Sequence, residues 1–332
     1  MKQYIVDAFT DKVFNGNQAA VCVLENWIPD SLMQSIAKEN NFSETAFTVK
    51  EGSLYHLRWF TPAAEIDFCG HATLATAFVL LNFYEKDSPK VVFKTQVGEL
   101  TVERQDDFFI MNFPAYQLKK IPVTEKMKAA LGIEPKEAYL DRDLMLVLEN
   151  AQDVRSLCPN QNKLKELDGL CIVATAPSDR KEYDCVSRVF VPELTMMEDP
   201  VTGSSHCMIA PYWFRRLKKE KLVCFQASER SGILYAEDKG ERIILSGKAV
   251  LFSEGNIFQR IPRTAYPTRF MPTSSGTSST WPSNVEQIPR STMPSAEHSS
   301  PSLSPEMYNP QQHRNGYASH PRRSCTSLAS LT

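Results

Sequence analysis

Apolar segments of two kinds alternate along roughly the first 260 residues. The short segments are strand-like, and in the first third of the chain they are Tyr4–Phe9, Ala19–Asn26 and Thr45–Val49. The longer segments have helical spacing, as at Asp30–Lys38 and Leu74–Phe83. A run of strands from Val91 follows the second helix. This pattern predicts a mixed α+β fold.

The order of these segments occurs twice. The tetrapeptide Val-Leu-Glu-Asn ends a strand-like segment at 23–26 and again at 147–150. Each copy then has a helix-like stretch, a short apolar strand, Phe-x-Pro, a glycine that opens an apolar helix, and a β-ribbon. In the second copy the two helices and the short strand are predicted at Gln161–Leu167, Cys207–Leu217 and Leu170–Ala174. The repeat predicts two tandem pseudo-symmetric domains, 1–117 and 118–258, each a sheet wrapped around one helix. Whether the last strand packs back on the first domain is left open.

Composition changes sharply at Ile261. The 72 residues from Ile261 to Thr332 hold 10 of the 21 prolines, 15 serines and no lysine. Because this segment lacks apolar periodicity, it cannot bury enough surface to offset the entropy lost on ordering. We predict a disordered tail at 261–332. A Pro/Ser-rich docking segment is the functional alternative.

Charge and motif content exclude several classes of function. The 37 basic and 39 acidic residues are nearly balanced, which argues against a nucleic-acid-binding protein. No apolar run reaches the roughly 18–20 residues of a membrane span, and the first residues do not resemble a signal peptide, so we expect a cytoplasmic protein. Cysteines at C-x-x-C spacing, histidine pairs, a G-x-G-x-x-G motif and a P-loop are all absent from the sequence. We therefore expect acid–base chemistry without a metal or an organic cofactor.

Candidate chemistry gathers at the two glycines that open the apolar helices. Gly70 and Gly203 occupy matching places in the repeat, and a helix N-terminus can bind a carboxylate through its unpaired backbone N–H groups. For either glycine alone, a tight turn before a helix is the simpler interpretation. Glu44 stands at the entrance of an apolar strand, where it is either the solvated end of that strand or a proton shuttle in the cleft.

Six ordered motifs carry a resemblance to a known family. They are Asp7–Thr10, Phe14–Asn17, Ser43–Phe47, Arg58–Pro62, Cys69–Thr73 and Glu198–Ser204. Together they resemble the PhzF-like isomerases, which are related to phenazine biosynthesis and belong to the diaminopimelate-epimerase superfamily. The resemblance covers about residues 1–258 and leaves the tail unmatched.

The resemblance implies a fold and a set of site residues. The fold is two pseudo-symmetric domains, each a β-barrel-like sheet around a central helix, with the active site between them and with no metal or organic cofactor. By this resemblance Glu44 shuttles a proton on the substrate, assisted by His71, Asp199 and Ser204. The residues expected to bind the substrate are Gly70, Thr202 and Gly203.

One departure from the superfamily limits the chemistry. Racemases of this fold use two cysteines, one before each cleft glycine, and here Cys69 fills the first place while Thr202 fills the second. The sequence therefore favours a single-glutamate isomerase that acts on a small carboxylate by proton transfer. The alternative is a catalytically idle family member that acts as a binding or regulatory protein. We expect a small-molecule partner, with no nucleic acid or membrane, and leave a homodimer open.

Overall fold

A computed structural model describes residues 1–192 and 198–258 of this protein. The tail predicted from Ile261 lies outside the described residues. Within them, helices and strands alternate in the order that the sequence pattern predicts, and the fold is of the mixed α+β class. No helix in the described part is both long and apolar enough to cross a membrane.

The first half of the chain carries eight strands and two α-helices among its described residues. In chain order these are β1 Lys2–Ala8, β2 Asn17–Leu24, α1 Asp30–Asn40, β3 Glu44–Glu51, β4 Leu54–Phe60, β5 Glu65–Ile66, α2 Gly70–Val79, β6 Lys90–Thr95, β7 Gly98–Gln105 and β8 Phe108–Pro114. A π-helical turn, Leu80–Tyr84, extends α2, so the helix predicted at Leu74–Phe83 lies within this continuous helical segment.

The second half repeats this order with additional short elements. They are β9 Lys119–Ile121, α3 Glu125–Leu131, β10 Glu137–Leu140, β11 Leu144–Val147, α4 Ala151–Arg155, α5 Gln161–Leu164, β12 Ile172–Pro177, β13 Cys185–Phe190, β14 Glu198–Asp199, α6 Gly203–Leu217, β15 Lys221–Gln226, β16 Gly232–Asp238, β17 Arg242–Gly247 and β18 Ala249–Asn256. The helix predicted at Gln161–Leu167 is shorter than expected and ends at Leu164, the one residue of α5 that is buried. A single apolar anchor gives a helix little to pack with.

Backbone pairing makes the internal repeat visible. The strands are hydrogen-bonded in the order β18-β1-β2-β3-β4-β6-β7-β8-β17-β16-β15-β13-β12-β11-β10-β9. Outward from the central antiparallel pair β8–β17, both halves follow the same sequence of partners. Parallel pairs occur at matching places, at β2–β3 and β4–β6 and again at β11–β12 and β13–β15. The last strand, β18, pairs with β1, the first.

The helix α2 lies inside the largest apolar core. Nine of its ten residues are buried, so it has no solvent-facing polar stripe. A helix that is apolar on all sides is stable only when it is surrounded by other elements. Its C-terminal extension adds two more buried residues, Leu80 and Leu81. This packing fixes where α2 begins, which is the end that carries the candidate site.

Two matching ion pairs hold the short strands β5 and β14, which precede α2 and α6. Arg58 donates two hydrogen bonds of 2.7 Å to Glu65, one from Nε and one from Nη2. Arg188 repeats the arrangement with Glu198, at 2.7 and 2.6 Å. Such two-pronged arginine–carboxylate contacts fix geometry as well as distance. Because Glu198 is followed directly by Asp199, the second ion pair positions a predicted site residue.

Candidate active site

The N-termini of α2 and α6 lie against each other. A Cβ atom built on Gly70 would stand 3.7 Å from the Cα of Gly203 and 3.9 Å from the backbone nitrogen of Ser204. Each glycine is the first residue of its helix, and neither has a positive φ angle. The junction therefore concentrates unpaired N–H donors and the positive ends of two helix dipoles. The structure thus brings together the two glycines that the sequence predicts for one anion site.

Glu44 and His71 face each other in an enclosed space. Oε2 of Glu44, at the start of β3, lies 3.0 Å from Nε2 of His71, in the first turn of α2. This is an ion-pair distance without the alignment of a hydrogen bond. The two side chains are only 12% and 6% exposed. The other ring nitrogen of His71, Nδ1, lies 3.5 Å from Sγ of Cys69.

These neighbours set the charge of His71. Burial alone lowers the pKa of the imidazole, but the Cys69 and Glu44 groups outweigh burial and raise the pKa well above its usual value. The pKa of the Cys69 thiol is itself raised, because burial and the charge of Glu44 outweigh the effect of His71. The raised pKa keeps the proton on the Cys69 thiol near pH 7, and the Cys69 and Glu44 side chains together favour the protonated form of the ring.

Asp199 joins this cluster through Asn17. The side-chain nitrogen of Asn17 donates to Oδ1 of Asp199 at 2.8 Å and to the carbonyl of Val201 at 2.9 Å, and it lies 3.2 Å from Nδ1 of His71. The hydroxyl of Thr202 donates to the other carboxylate oxygen of Asp199. Asn17 is the first residue of β2, so one buried amide connects the first half of the chain to an acid of the second half.

Asp199 is an acid with an elevated pKa. Burial raises the pKa of Asp199 to about 6, although the charge of His71 and the hydrogen bonds from Thr202 and Asn17 act in the opposite direction. A carboxyl group with a pKa near 6 changes its protonation state close to physiological pH. It can therefore either donate or accept a proton during a reaction.

Three further buried residues hold this cluster, and the sequence pattern assigns no role to them. Gln226 accepts a hydrogen bond from the backbone nitrogen of Thr202 at 2.9 Å and donates one to the carbonyl of Asp199 at 2.8 Å. Nδ1 of His206 donates to the carbonyl of Thr202 at 2.8 Å, and burial lowers the pKa of His206 to about 4, so its ring is neutral. The third residue, Asn17, ends the Phe14–Asn17 motif, so the sequence did contain a signal that could have identified it as a site residue. Gln226 ends an ordinary strand, and its sequence context contains no such signal.

The acid–base groups are asymmetric although the fold repeats. The matching tetrapeptides at 23–26 and 147–150 align β2 with β11, so that residue 21 corresponds to residue 145. Residue 21 pairs with residue 46 of β3, and residue 145 pairs with residue 173 of β12. Residue 46 therefore corresponds to residue 173, and Glu44 corresponds to Cys171. The starts of α2 and α6 align His71 with Ser204. A glutamate and a histidine in the first half therefore correspond to a thiol and a hydroxyl in the second. The groups that titrate come mainly from one side of the junction.

Three side chains of this cluster are of the types that ligate metal ions. Glu44, Cys69 and His71 are the described residues whose ligand atoms come close enough to one another, within 4.8 Å, to be considered for a metal. However, Nε2 of His71 faces Glu44 whereas Nδ1 faces Cys69. The two ring nitrogens of His71 thus contact two different neighbours within the cluster.

Comparisons with known proteins agree with the motifs. The family model described as "Phenazine biosynthesis-like protein" matches residues 6–255. An uncharacterised isomerase of Pseudomonas aeruginosa is 44% identical over 252 residues, which cover 76% of this chain and 96% of the relative. The crystal structure of a PhzF-family protein from Enterococcus faecalis is 48% identical, with a TM-score of 0.75 over 77% of this chain and 98% of that one.

A more distant structure shares the fold alone. A hydroxyproline epimerase from Agrobacterium vitis is 8% identical, with a TM-score of 0.51 over 77% of this chain and 90% of that one. The resemblance that the six motifs indicated is confirmed by the family model, which spans most of the described residues. This chain belongs to the phenazine biosynthesis-like (PhzF) protein family.

Proposed function

We propose that this protein is a cofactor-independent isomerase that moves a proton within a small carboxylate-bearing molecule, with Glu44 carrying the proton. The observation that carries the proposal is the enclosed Glu44–His71 pair beside two helix N-termini. Relatives named as isomerases support the reaction class. In the proposal, residues 1–117 and 118–258 form two domains, each a β-barrel-like sheet around its helix, and the substrate binds in the cleft between them.

The substrate carboxylate is held where the two helices begin. Backbone N–H groups at Gly70 and Gly203 donate to its oxygens, and the helix dipoles favour its charge. The hydroxyl of Ser204, in the first turn of the second helix, is available to the same group, whereas the hydroxyl of Thr202 donates to Asp199 and borders the site. Neither glycine carries a side chain that would keep the carboxylate away from the backbone.

The chemical step is a proton transfer without net oxidation. The Glu44 carboxylate accepts a proton from a carbon next to an unsaturated or carboxylate group, and the C–H electron pair delocalises into that group. The imidazolium of His71 and the helix N–H groups stabilise the negative charge that develops. The proton is then returned to a different carbon, from Glu44 or from Asp199, whose pKa of about 6 suits a donor. Enclosure of the site limits loss of the proton to water.

Solvent deuterium incorporation tests the proposal. A panel of small carboxylic acids is incubated with the protein in D₂O, and uptake of deuterium at carbon is followed by mass spectrometry. Glu44→Gln keeps the shape but cannot accept the proton, so exchange should fall by roughly 10² or more. Glu99→Gln, at an exposed position on β7, is the matched control and should exchange normally. Unchanged exchange in the Glu44 variant removes Glu44 from the mechanism, and no exchange with any acid favours the idle binding protein.

A further inference from the structure

Arg142 is a partly buried arginine that makes no ion pair within the described part of the chain, although the charge of the neighbouring Asp143 acts on it. It immediately precedes Asp143 and β11, in the loop that joins β10 to β11. Among the described residues its guanidinium makes one hydrogen bond, a long one of 3.4 Å from Nη1 to the hydroxyl of Tyr116, and no ion pair. A guanidinium has five N–H donors. Most of the hydrogen-bonding capacity of Arg142 is therefore unused.

Every other partly buried arginine in the described part of the chain bonds to a carboxylate or a backbone carbonyl. These are Arg58, Arg104, Arg155, Arg188 and Arg230. The unbonded nitrogens of Arg142 are not among the fully buried polar atoms of the described residues, so a ligand that enters from solvent can reach them. The exception at Arg142 points to an anion that is bound there during function. The planar fork of a guanidinium matches the two oxygens of a carboxylate.

The surroundings of Arg142 place it beside the start of α6. The neighbouring residue Asp143 is fully buried and accepts a hydrogen bond of 2.6 Å from the hydroxyl of Ser205, in the first turn of that helix. The backbone nitrogen of Tyr116 donates to the carbonyl of Cys207, in the next turn. Both contacts of the Arg142 region therefore lead to the helix whose N-terminus borders the candidate site.

A buried thiol connects Arg142 electrostatically with the site cluster. Burial raises the pKa of the Cys171 thiol, the charges of Asp143 and Asp199 raise it further, and the charge of Arg142 lowers it. Arg142 and Asp199 thus act on the same thiol, which stands where the repeat places the counterpart of Glu44. Arg142 therefore lies in the second half of the chain, directly next to the residue that accepts a hydrogen bond from the first turn of α6.

We propose that Arg142 binds a second carboxylate of the substrate, apart from the one held at the helix starts, so that the substrate is a small dicarboxylic acid. This inference rests on the proposed function for the location of the first carboxylate. One carboxylate lies at the junction of Gly70 and Gly203, and the other lies on the guanidinium of Arg142. The carbon acid between them is then presented to Glu44. Acids with one carboxylate leave Arg142 unpaired and bind more weakly.

Binding measurements with matched acids test the inference. Succinate and glutarate are compared with butyrate and pentanoate, which have the same carbon counts and one carboxylate each, by isothermal titration calorimetry. We expect the dicarboxylates to bind the wild-type protein at least about tenfold more tightly, the effect of one charge-assisted contact. Arg142→Gln should remove that advantage and leave the monocarboxylate affinities unchanged. Arg155→Gln removes another partly buried arginine, which is paired with Asp179, and should leave all affinities unchanged.

Several results would overturn the inference. These are equal binding of both acid classes by the wild-type protein, no binding of either dicarboxylate, an equal loss of both classes in Arg142→Gln, and a preference for inorganic phosphate that depends on Arg142. If Arg142→Gln unfolds at a low temperature, Arg142→Lys is tested instead. Lysine keeps the positive charge but lacks the planar guanidinium, so this variant should lose part of the higher affinity for dicarboxylates. Failure of the proposed function appears separately, as absent deuterium exchange, because Glu44→Gln is expected to bind dicarboxylates normally.

Discussion

The carboxylate of Asp199 accepts a hydrogen bond of 2.8 Å from the side-chain amide of Asn17, a residue 182 positions earlier in the chain. The same amide lies 3.2 Å from Nδ1 of His71. Asp199, unlike His71, comes from the second half of the chain, so Asn17 links acid–base groups of both halves. This contact brings an acid with an elevated pKa next to an imidazolium.

The elevated pKa of Asp199 predicts a specific pH dependence of stability. Because burial raises the pKa of Asp199 to about 6, the folded protein binds this proton more tightly than the unfolded chain, in which the pKa is near 3.8. The free energy of unfolding therefore falls as pH rises from about 4 to about 6. Asp199→Asn cannot ionise, so its melting temperature relative to the wild type should rise across this range and level off above it.

An acid with a lowered pKa provides the opposite control. Asp179, which is paired with Arg155, has a lowered pKa because Arg155 hydrogen-bonds to it and outweighs burial. Asp179→Asn should therefore lose melting temperature relative to the wild type as pH rises through the acidic range, by a small amount because Asp179 is exposed. A difference between Asp199→Asn and the wild type that stays constant from pH 4 to 7 would contradict the pKa assigned to Asp199.

Cys69 should matter less than its position in the superfamily pattern suggests. Its thiol has a raised pKa, and the matching place before Gly203 holds Thr202, whose hydroxyl is not an acid–base partner at neutral pH. Cys69→Ser should lower deuterium exchange only modestly, by less than about tenfold. Cys22→Ser, at a thiol buried beneath α1, measures the stability cost of the same change away from the site. Complete inactivation of a folded Cys69→Ser protein would revive a two-thiol racemase mechanism.

The repeated ion pairs allow a comparison that separates stability from activity. Arg188→Met removes the ion-pair partner of Glu198, and Arg58→Met removes that of Glu65, which keeps a hydrogen bond from Gln96. Both carboxylates are less than a quarter exposed. Each variant should lose roughly 2–3 kcal/mol of unfolding free energy, since a mostly buried carboxylate loses its partner. Only β14 carries a site acid, Asp199, so exchange should fall further in the Arg188 variant. Chemical denaturation should therefore give similar losses of stability for the two variants, whereas deuterium exchange should fall further in Arg188→Met. An equal loss of exchange in both variants would contradict a positioning role for Arg188.

The sequence pattern predicted the parts of the fold that have a period. The α2 helix and the strands on both sides of it follow from apolar spacing, and the matching tetrapeptides at 23–26 and 147–150 revealed the repeat. The two-residue strands β5 and β14 have no period and were not predicted. They depend on arginines that reach them from β4 and β13. The sequence does contain a signal for them, since both arginines stand in Arg-x-Phe-x-Pro segments, at Arg58 and Arg188.

The hydrophobic pattern predicts less of the candidate site than of the fold. Glu44 and His71 were selected through motifs. Their 3.0 Å separation depends on how β3 packs against α2, which the motifs do not specify. Contacts such as those of Asn17 and Gln226 join residues that are far apart in the chain, so no local spacing encodes them. Arg142 stands next to an ordinary-looking strand, and it is distinguished by having no ion pair among the described residues and one long hydrogen bond.

The junction of the two glycines leads to the last prediction. A Cβ atom on Gly203 would stand 3.4 Å from the ring of Phe9 and 3.8 Å from the Cα of Gly70, which are ordinary contact distances. Gly203 has no positive φ angle, so its backbone conformation is one that other residues can adopt. Gly203→Ala should therefore fold normally, and the larger side chain of Gly203→Val should mainly occupy the space in which a carboxylate approaches the helix start.

We expect Gly203→Val to weaken butyrate binding at least about tenfold, because one or two charge-assisted hydrogen bonds are lost, while the melting temperature changes by only a few degrees. Gly232→Ala provides a contrasting control, since its Cβ would stand 2.4 Å from a methyl group of Val201 and should lower the melting temperature. Thermal melts and calorimetric titrations of the three variants, Gly203→Ala, Gly203→Val and Gly232→Ala, separate folding from binding. If Gly203→Val melts early and yet binds butyrate normally, the helix starts do not hold the carboxylate, and the anion must be bound by side chains instead.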